Sequence, residues 1–322
     1  MDCNVLTDRP LPKFPSSRLW FSLPWAIAFS FAILHLTLPP TLVQQAAPWL
    51  FLGSMIFLGI PHGAADFLVA RKILPRRYFP TPFLVVYSLL VLLILLLWNL
   101  GPAICLGLFL LLTAWHWGSA EVYPLPKSSE QSGRPWQAWA RGGWVMVLPF
   151  ALHPAETLTI LNAWGIETVP LPPQAAVVGF SGLLLIADLG LSWKAMPRRF
   201  RILYGFEVLY LGLMGAILSP LWWITLYFLF FHAWRHTLRI RASFFRPTEK
   251  GLLPLLSLAT LRYAPLTLLP LLIFVLLILP QQSDWTFRPL PWTGAYIALL
   301  AALTVPHSIL IRYWDLQGKP EN

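Results

Sequence analysis

Five of the seven histidines fall inside, or at the ends of, apolar stretches long enough to span a membrane. They are His62, His116, His232, His236 and His307. An ionisable side chain in hydrocarbon is costly and marks a functional position by default. Several imidazoles at one depth suggest a metal site. His232 and His236 are four residues apart, so on a helix they share a face and can chelate one ion. His62 and Asp66 have the same spacing. Pro61 and Pro306 each precede a histidine and open a helix where that side chain projects. Gly59, Gly63 and Gly118 let neighbouring helices approach closely. A site of imidazoles with carboxylates around it suits iron, copper, zinc or nickel. Asp66, Glu121 and Glu207 are placed to accept the outer N–H groups of such ligands and fix their tautomers. There is no His-Glu-x-x-His pattern for zinc hydrolysis, and iron with dioxygen fits a buried apolar site better.

The elements that must position these residues are membrane helices. The chain is 57% hydrophobic and only 11% charged, with a mean hydropathy of +0.65; a soluble domain carries about 25% charged residues. The fold class expected is all-α, a polytopic helical bundle of about ten transmembrane helices. At about twenty apolar residues per span, candidates lie at 20–38, 49–70, 82–99, 101–120, 143–161, 174–193, 203–218, 221–240, 264–280 and 292–312. The fifth is interrupted by Pro149, His153, Pro154 and Glu156. Residues 1–19 then form an N-terminal tail, 20–312 a single membrane domain and 313–322 a C-terminal tail. The two cysteines, Cys3 and Cys105, offer neither a disulfide framework nor a thiolate site.

The net charge of +10 does not point to nucleic acid, because the basic residues are dispersed among short connections, as topology signals are. With ten spans and a cytoplasmic N-terminus, Arg9, Lys13 and Arg18 fall inside, as do the groups at 71–77, 127–141, 194–201 and 235–262, and Arg312 and Lys319; only Arg288 is left in an outer loop. Both termini are therefore expected in the cytoplasm. This orientation brings His62, His116, His232, His236 and His307 toward the inner face, with Asp66, Glu121 and Glu207 at similar depth. His35 and His153 lie near the outer ends and are read as interhelical hydrogen-bonding groups. Arg235 is read either as an ion-pair partner of the buried acids or as a side chain snorkelling to the headgroups. The many aromatic residues include a set that could line a tunnel for a long conjugated hydrocarbon.

At these positions the chain resembles the Brp/Blh family of membrane β-carotene 15,15′-dioxygenases, the bacterio-opsin-related proteins. A Gly-x-Pro-His-Gly-Ala-x-Asp motif matches Gly59 to Asp66. His116-Trp117-Gly118-Ser119-Ala120-Glu121 matches a second, Phe206-Glu207 a third, and His232 to His236 a His-x-x-Arg-His motif. Thr304 to His307 matches a late Thr-Val-Pro-His. The ordered set covers roughly 49–312. The resemblance implies cleavage of the central double bond of β-carotene by O2, giving two molecules of all-trans-retinal, with ferrous iron as cofactor. It places the iron ligands at His62, His116, His232 and His236, with His307 a fifth candidate, as ligand or as base. Glu207, Asp66, Glu121, Arg235 and His307 are the candidate catalytic residues. β-Carotene and O2 are the partners expected, with the substrate entering from the bilayer, and retinal would pass to a rhodopsin or another retinal-using protein. The location expected is a bacterial inner membrane. Three departures stand out: Glu121 replaces a frequent Asp, Arg312 stands where an acid often follows the last motif, and the first span lies upstream of the motifs as an apparent addition.

Two other functions compete on sequence. A membrane di-iron desaturase or hydroxylase needs repeated His-x-x-His-His boxes, and this chain has one His-x-x-x-His pair. A transporter with a buried His/acid relay predicts no tightly bound metal and an inverted repeat, which the sequence does not display. An opsin is excluded, because all six lysines lie in tails or connections.

Overall fold

The computed structural model describes residues 18–54, 58–125, 134–166, 172–244 and 289–317. Among these every regular element is helical. After a π-helical stretch at Arg18–Ser22 come α1 (Leu23–Thr37), α2 (Pro40–Ser54), α3 (Ile60–Ile73), a 3₁₀ turn at Arg76–Tyr78, α4 (Thr81–Leu100) and α5 (Pro102–Val122). Then follow α6 (Arg134–Leu152), α7 (Pro154–Ala163), α8 (Gln174–Ala195), α9 (Arg198–Ile217) and α10 (Pro220–Leu226). A π turn at Tyr227–Ala233 leads into α11 (Trp234–Phe244), and α12 (Pro289–Gln317) ends the described chain. Proline opens most of these helices, at the first turn where its missing N–H costs nothing.

Among the described residues six helices are long and apolar enough to cross a membrane, or seven if α6 and α7 form one broken span. Six of the ten sequence candidates coincide with them. The candidate at 143–161 bends by 96° between α6 and α7. Its cause is local: Pro154 disfavours the α conformation at His153, which takes φ −131°, ψ 52°. The candidate at 49–70 takes in the end of α2 and most of α3, and its residues 55–57 lie outside the described residues. The one at 221–240 is helical but interrupted in register by the π turn. The candidate at 264–280 lies outside the described residues.

Long apolar side chains cover the outside of α4, α5, α8 and α9: Leu89, Leu96, Ile104, Leu183, Ile186 and Leu209 are all more than half exposed. In water such a surface would aggregate; in lipid it is the solvated face. Inside, small and polar residues are buried together with large aromatics such as Trp144, Trp222 and Trp223. Ala114 and Gly118 of α5 pack backbone to backbone against Ala138 and Gly142 of α6, two small-xxx-small pairs in register. A Cβ on Gly118 would lie 1.8 Å from the Ala138 carbonyl oxygen, and one on Gly142 1.7 Å from that of Ala114. Gly142→Ala is therefore expected to push α5 and α6 apart and destabilise the protein by about 1–3 kcal/mol or more; an unchanged thermal midpoint in detergent would rule out the close crossing.

The N-terminal helix, upstream of the motifs, is hydrogen-bonded into the rest of the bundle. Trp25 Nε1 donates to Glu207 Oε2 at 3.0 Å, and Tyr210 Oη donates to the Trp25 carbonyl at 2.7 Å. Arg235 Nε donates to the Trp20 carbonyl at 3.1 Å. Polar groups with no water to turn to have recruited this helix to complete their hydrogen bonds.

Candidate metal centre

Four elements converge on one polar point within the apolar interior. α3 supplies His62 from its first turn, and α5 supplies His116. The π turn supplies His232, and α12 supplies His307. All four are buried, and one ring nitrogen of each can be chosen so that all four atoms lie within 4.8 Å of one another. The Nε2 atoms of His62 and His307 are 3.2 Å apart. His116 stands nearly perpendicular to His307 with ring centroids 4.7 Å apart, and 4.9 Å from His232.

His236 sits beside this group. Its ring lies 4.7 Å from that of His62 and 5.3 Å from that of His307, and 6.4 Å from that of His232. The geometry thus gathers His307 with His62, His116 and His232. The family resemblance names His236 in the fourth place instead. The π turn is the reason spacing alone does not settle the matter, because it alters the four-residue register that relates His232 to the following turn.

The histidines carry unused hydrogen-bonding capacity. Nδ1 of His62, Nε2 of His116, Nδ1 of His232 and both ring nitrogens of His236 are buried without a hydrogen-bond partner among the described residues. Each such atom costs about 1–3 kcal/mol when left unsatisfied. A cation bound by neutral imidazoles would remove several of these penalties at once, so the residues present fit a metal ion.

Asp66 fixes one member of the group. His307 Nδ1 donates to Asp66 Oδ1 at 2.6 Å, which leaves the lone pair of His307 on Nε2, facing His62. Tyr87 Oη donates to Asp66 Oδ2 at 2.9 Å and holds the carboxylate from α4. This is the carboxylate–histidine arrangement that orients metal ligands. Aromatic rings close the site: Trp117 stacks on His232 and Tyr227 at centroid distances of 5.3 and 5.1 Å, and Phe228 stacks on His232 at 6.2 Å.

Glu121, Glu207 and Arg235 lie elsewhere, in a second buried cluster. Glu121 and Glu207 do not hydrogen-bond to any histidine, in contrast to the tautomer-fixing role expected of them. The reason is the charge of Arg141. It donates from Nε to Glu121 Oε2 at 2.9 Å and from Nη2 to Glu207 Oε1 at 2.7 Å, and lies 3.7 Å from Asp188. Arg235 meets Glu207 through both of its terminal nitrogens and Glu121 Oε2 at 3.3 Å. Asp188 accepts from Tyr204 Oη at 2.7 Å and Trp144 Nε1 at 3.0 Å. Every carboxylate oxygen of Glu121, Asp188 and Glu207 has a partner, which such a cluster requires in a medium of low dielectric. Arg141 and Arg235, counted from the sequence among the cytoplasmic topology charges, are fully buried. Arg235 does not snorkel.

Arg141, Asp188 and Tyr87 are thus the polar residues that sequence reasoning passes over. Asp188 lies within the candidate span 174–193 and is detectable as an ionisable group at membrane depth. Arg141 is hidden because the span it belongs to begins earlier than its hydropathy indicates. Tyr87 is one aromatic residue in a leucine-rich helix and carries no signal. His35 and His153 do bond between helices, His35 Nε2 accepting from the Ser219 N–H at 3.2 Å and His153 Nε2 donating to the Gly215 carbonyl at 3.0 Å.

The similarity to known proteins covers both clusters. The family model described as beta-carotene 15,15′-dioxygenase matches residues 53–315. A probable beta-carotene 15,15′-dioxygenase Blh of Halobacterium salinarum is 26% identical, over 89% of this chain and 89% of that protein. A beta-carotene 15,15′-dioxygenase of an uncultured marine bacterium is 25% identical, over 58% of this chain and 67% of its own length. No solved structure matches the chain. With its histidine motifs inside a match that spans most of its length, the chain belongs to the β-carotene 15,15′-dioxygenase family.

Proposed function

We propose that this protein is an iron-dependent membrane enzyme that cleaves the central double bond of β-carotene with O2 to give two molecules of all-trans-retinal. The observation that carries the reading is the gathering of four buried imidazoles, with donor atoms within 4.8 Å of one another, in a chain of this family. Ferrous iron held there would let triplet dioxygen react with a closed-shell polyene, whose central double bond provides the electrons that reduce O2 to the two carbonyl oxygens.

The residues of the chain do the rest. His62, His116, His232 and His307 hold the ion, and His236 lies close enough to join or replace one of them. Asp66 and Tyr87 keep the Nδ1 proton on His307, so that its Nε2 stays a donor. Trp117 and Phe228 line the approach with flat apolar surface, against which an extended polyene can be laid with its centre near the histidines. Burial keeps water away from the reacting bond. Substrate and product enter and leave through the bilayer, since neither is soluble in water. The topology that accommodates this has about ten spans in a single membrane domain at 20–312, both termini in the cytoplasm of a bacterial inner membrane, and the histidines toward the cytoplasmic leaflet. Retinal released there is available to a rhodopsin or another retinal-using protein.

Expression in bacteria that accumulate β-carotene tests the reading. Retinal is expected from the wild type and not from His232→Ala, as measured by chromatography of pigment extracts. A wild-type protein that is folded in the membrane but yields no retinal would refute it.

A further inference from the structure

The π turn that delivers His232 is bracketed by one carboxylate. Glu121 Oε1 accepts from Tyr227 Oη at 2.5 Å, and Glu121 Oε2 faces Arg235 Nη1 at 3.3 Å. Tyr227 is the first residue of the turn, and Arg235 lies two residues beyond its last, Ala233. His232 and His236 lie within or directly after the bracketed segment.

The register explains why both ends can reach the same acid. An α-helix turns by about 100° per residue, so residues eight apart point about 80° apart around the axis. A π turn takes up one extra residue. Tyr227 and Arg235 then behave as residues seven apart, about 20° from alignment and two turns along. The π register puts both on the face toward α5, where Glu121 sits. Returned to α-helical register, the segment would turn one of the two away from Glu121 and rotate His232 relative to His62 and His116.

We propose that Glu121 is a positioning residue: by clamping Tyr227 and Arg235 it selects the π register of Tyr227–Ala233 and so aims His232 at the other imidazoles. Arg141 and Glu207 support the clamp, Arg141 by a 2.9 Å hydrogen bond to the same Glu121 oxygen and Glu207 by its pairing with Arg235. Trp117 stacks on both Tyr227 and His232 and fills the space between the clamp and the site. This assigns the ion-pair cluster to ligand placement, and it rests on the metal-centre reading above.

The test uses the whole protein, purified in detergent, stripped of metal and titrated with Co2+, whose visible ligand-field bands report its surroundings without turnover. Tyr227→Phe removes the hydroxyl donor but keeps the ring between Trp117 and Phe231. It is expected to weaken Co2+ binding about tenfold or more and to shift the bands, with unchanged far-ultraviolet circular dichroism and elution volume. Tyr204→Phe removes a donor from Asp188 in the same cluster without touching the π turn, and is expected to leave the bands where they are. Wild-type affinity and bands in Tyr227→Phe would overturn the proposal, as would an equal shift from Tyr204→Phe. Should Tyr227→Phe fail to fold, Glu121→Gln provides the same comparison, since it keeps volume and an acceptor but loses the charge facing Arg235. A wild-type protein that binds no Co2+ would overturn the metal reading itself, and the positioning role with it.

Discussion

His307→Ala is expected to abolish retinal formation and to lower iron affinity by more than about 100-fold, beyond what substitution of an outer-shell partner costs. The substitution removes a donor that faces His62 Nε2 at 3.2 Å and leaves Asp66 Oδ1 without its imidazole partner. Asp66→Asn should show a smaller loss, because the ring remains and only the group that fixes its tautomer changes; the loss expected is about 10–100-fold in iron affinity. Metal analysis of the purified variants separates these outcomes. His153→Ala provides the reference. It breaks an interhelical hydrogen bond to Gly215 and should leave iron content unchanged. An iron-replete, active His307→Ala protein would return the fourth ligand position to His236.

The second large effect is expected at Arg141. Arg141→Met leaves Glu121, Asp188 and Glu207 buried with one guanidinium, that of Arg235, where there were two. Breaking a buried ion pair on one side costs about 3–5 kcal/mol, a large share of a total stability of about 5–15 kcal/mol. The variant should accumulate poorly in the membrane and lose its cooperative thermal transition in detergent. Arg141→Lys would not restore it, because one ammonium cannot reproduce the fork that reaches Glu121, Glu207 and Asp188 together. Membrane accumulation of Arg141→Met at wild-type levels would mean that the carboxylates take up protons and that the cluster carries little stability.

Much of this site is legible in the sequence because hydrocarbon makes polar residues conspicuous. His62, His116, His232 and His307 stand out within apolar runs, and charge alternation predicts one depth for them before any helix is positioned. What stays hidden depends on register and on partners. The π turn has no proline or glycine to announce it, so the pairing of His232 with His236 looks simpler than it is. The difference between a carboxylate that serves a histidine and one that serves an arginine is set by tertiary contact alone. Asp66 serves His307 while Glu121 and Glu207 serve Arg141 and Arg235, although all three acids look alike along the chain. The bend at His153 was foreshadowed by Pro154. The inclusion of the N-terminal segment in the polar cluster, through Trp20 just before α1 and Trp25 within it, had no such signal.

The measurement closest to the central claim is the product balance of the purified protein. It is supplied with Fe2+ and β-carotene in detergent and sampled by chromatography as the carotene disappears. Two molecules of retinal for each β-carotene consumed, lost on chelation of iron and restored by its return, is the result predicted here. Carotene consumed into products of unequal chain length, or the same retinal yield in the presence of chelator, would contradict it.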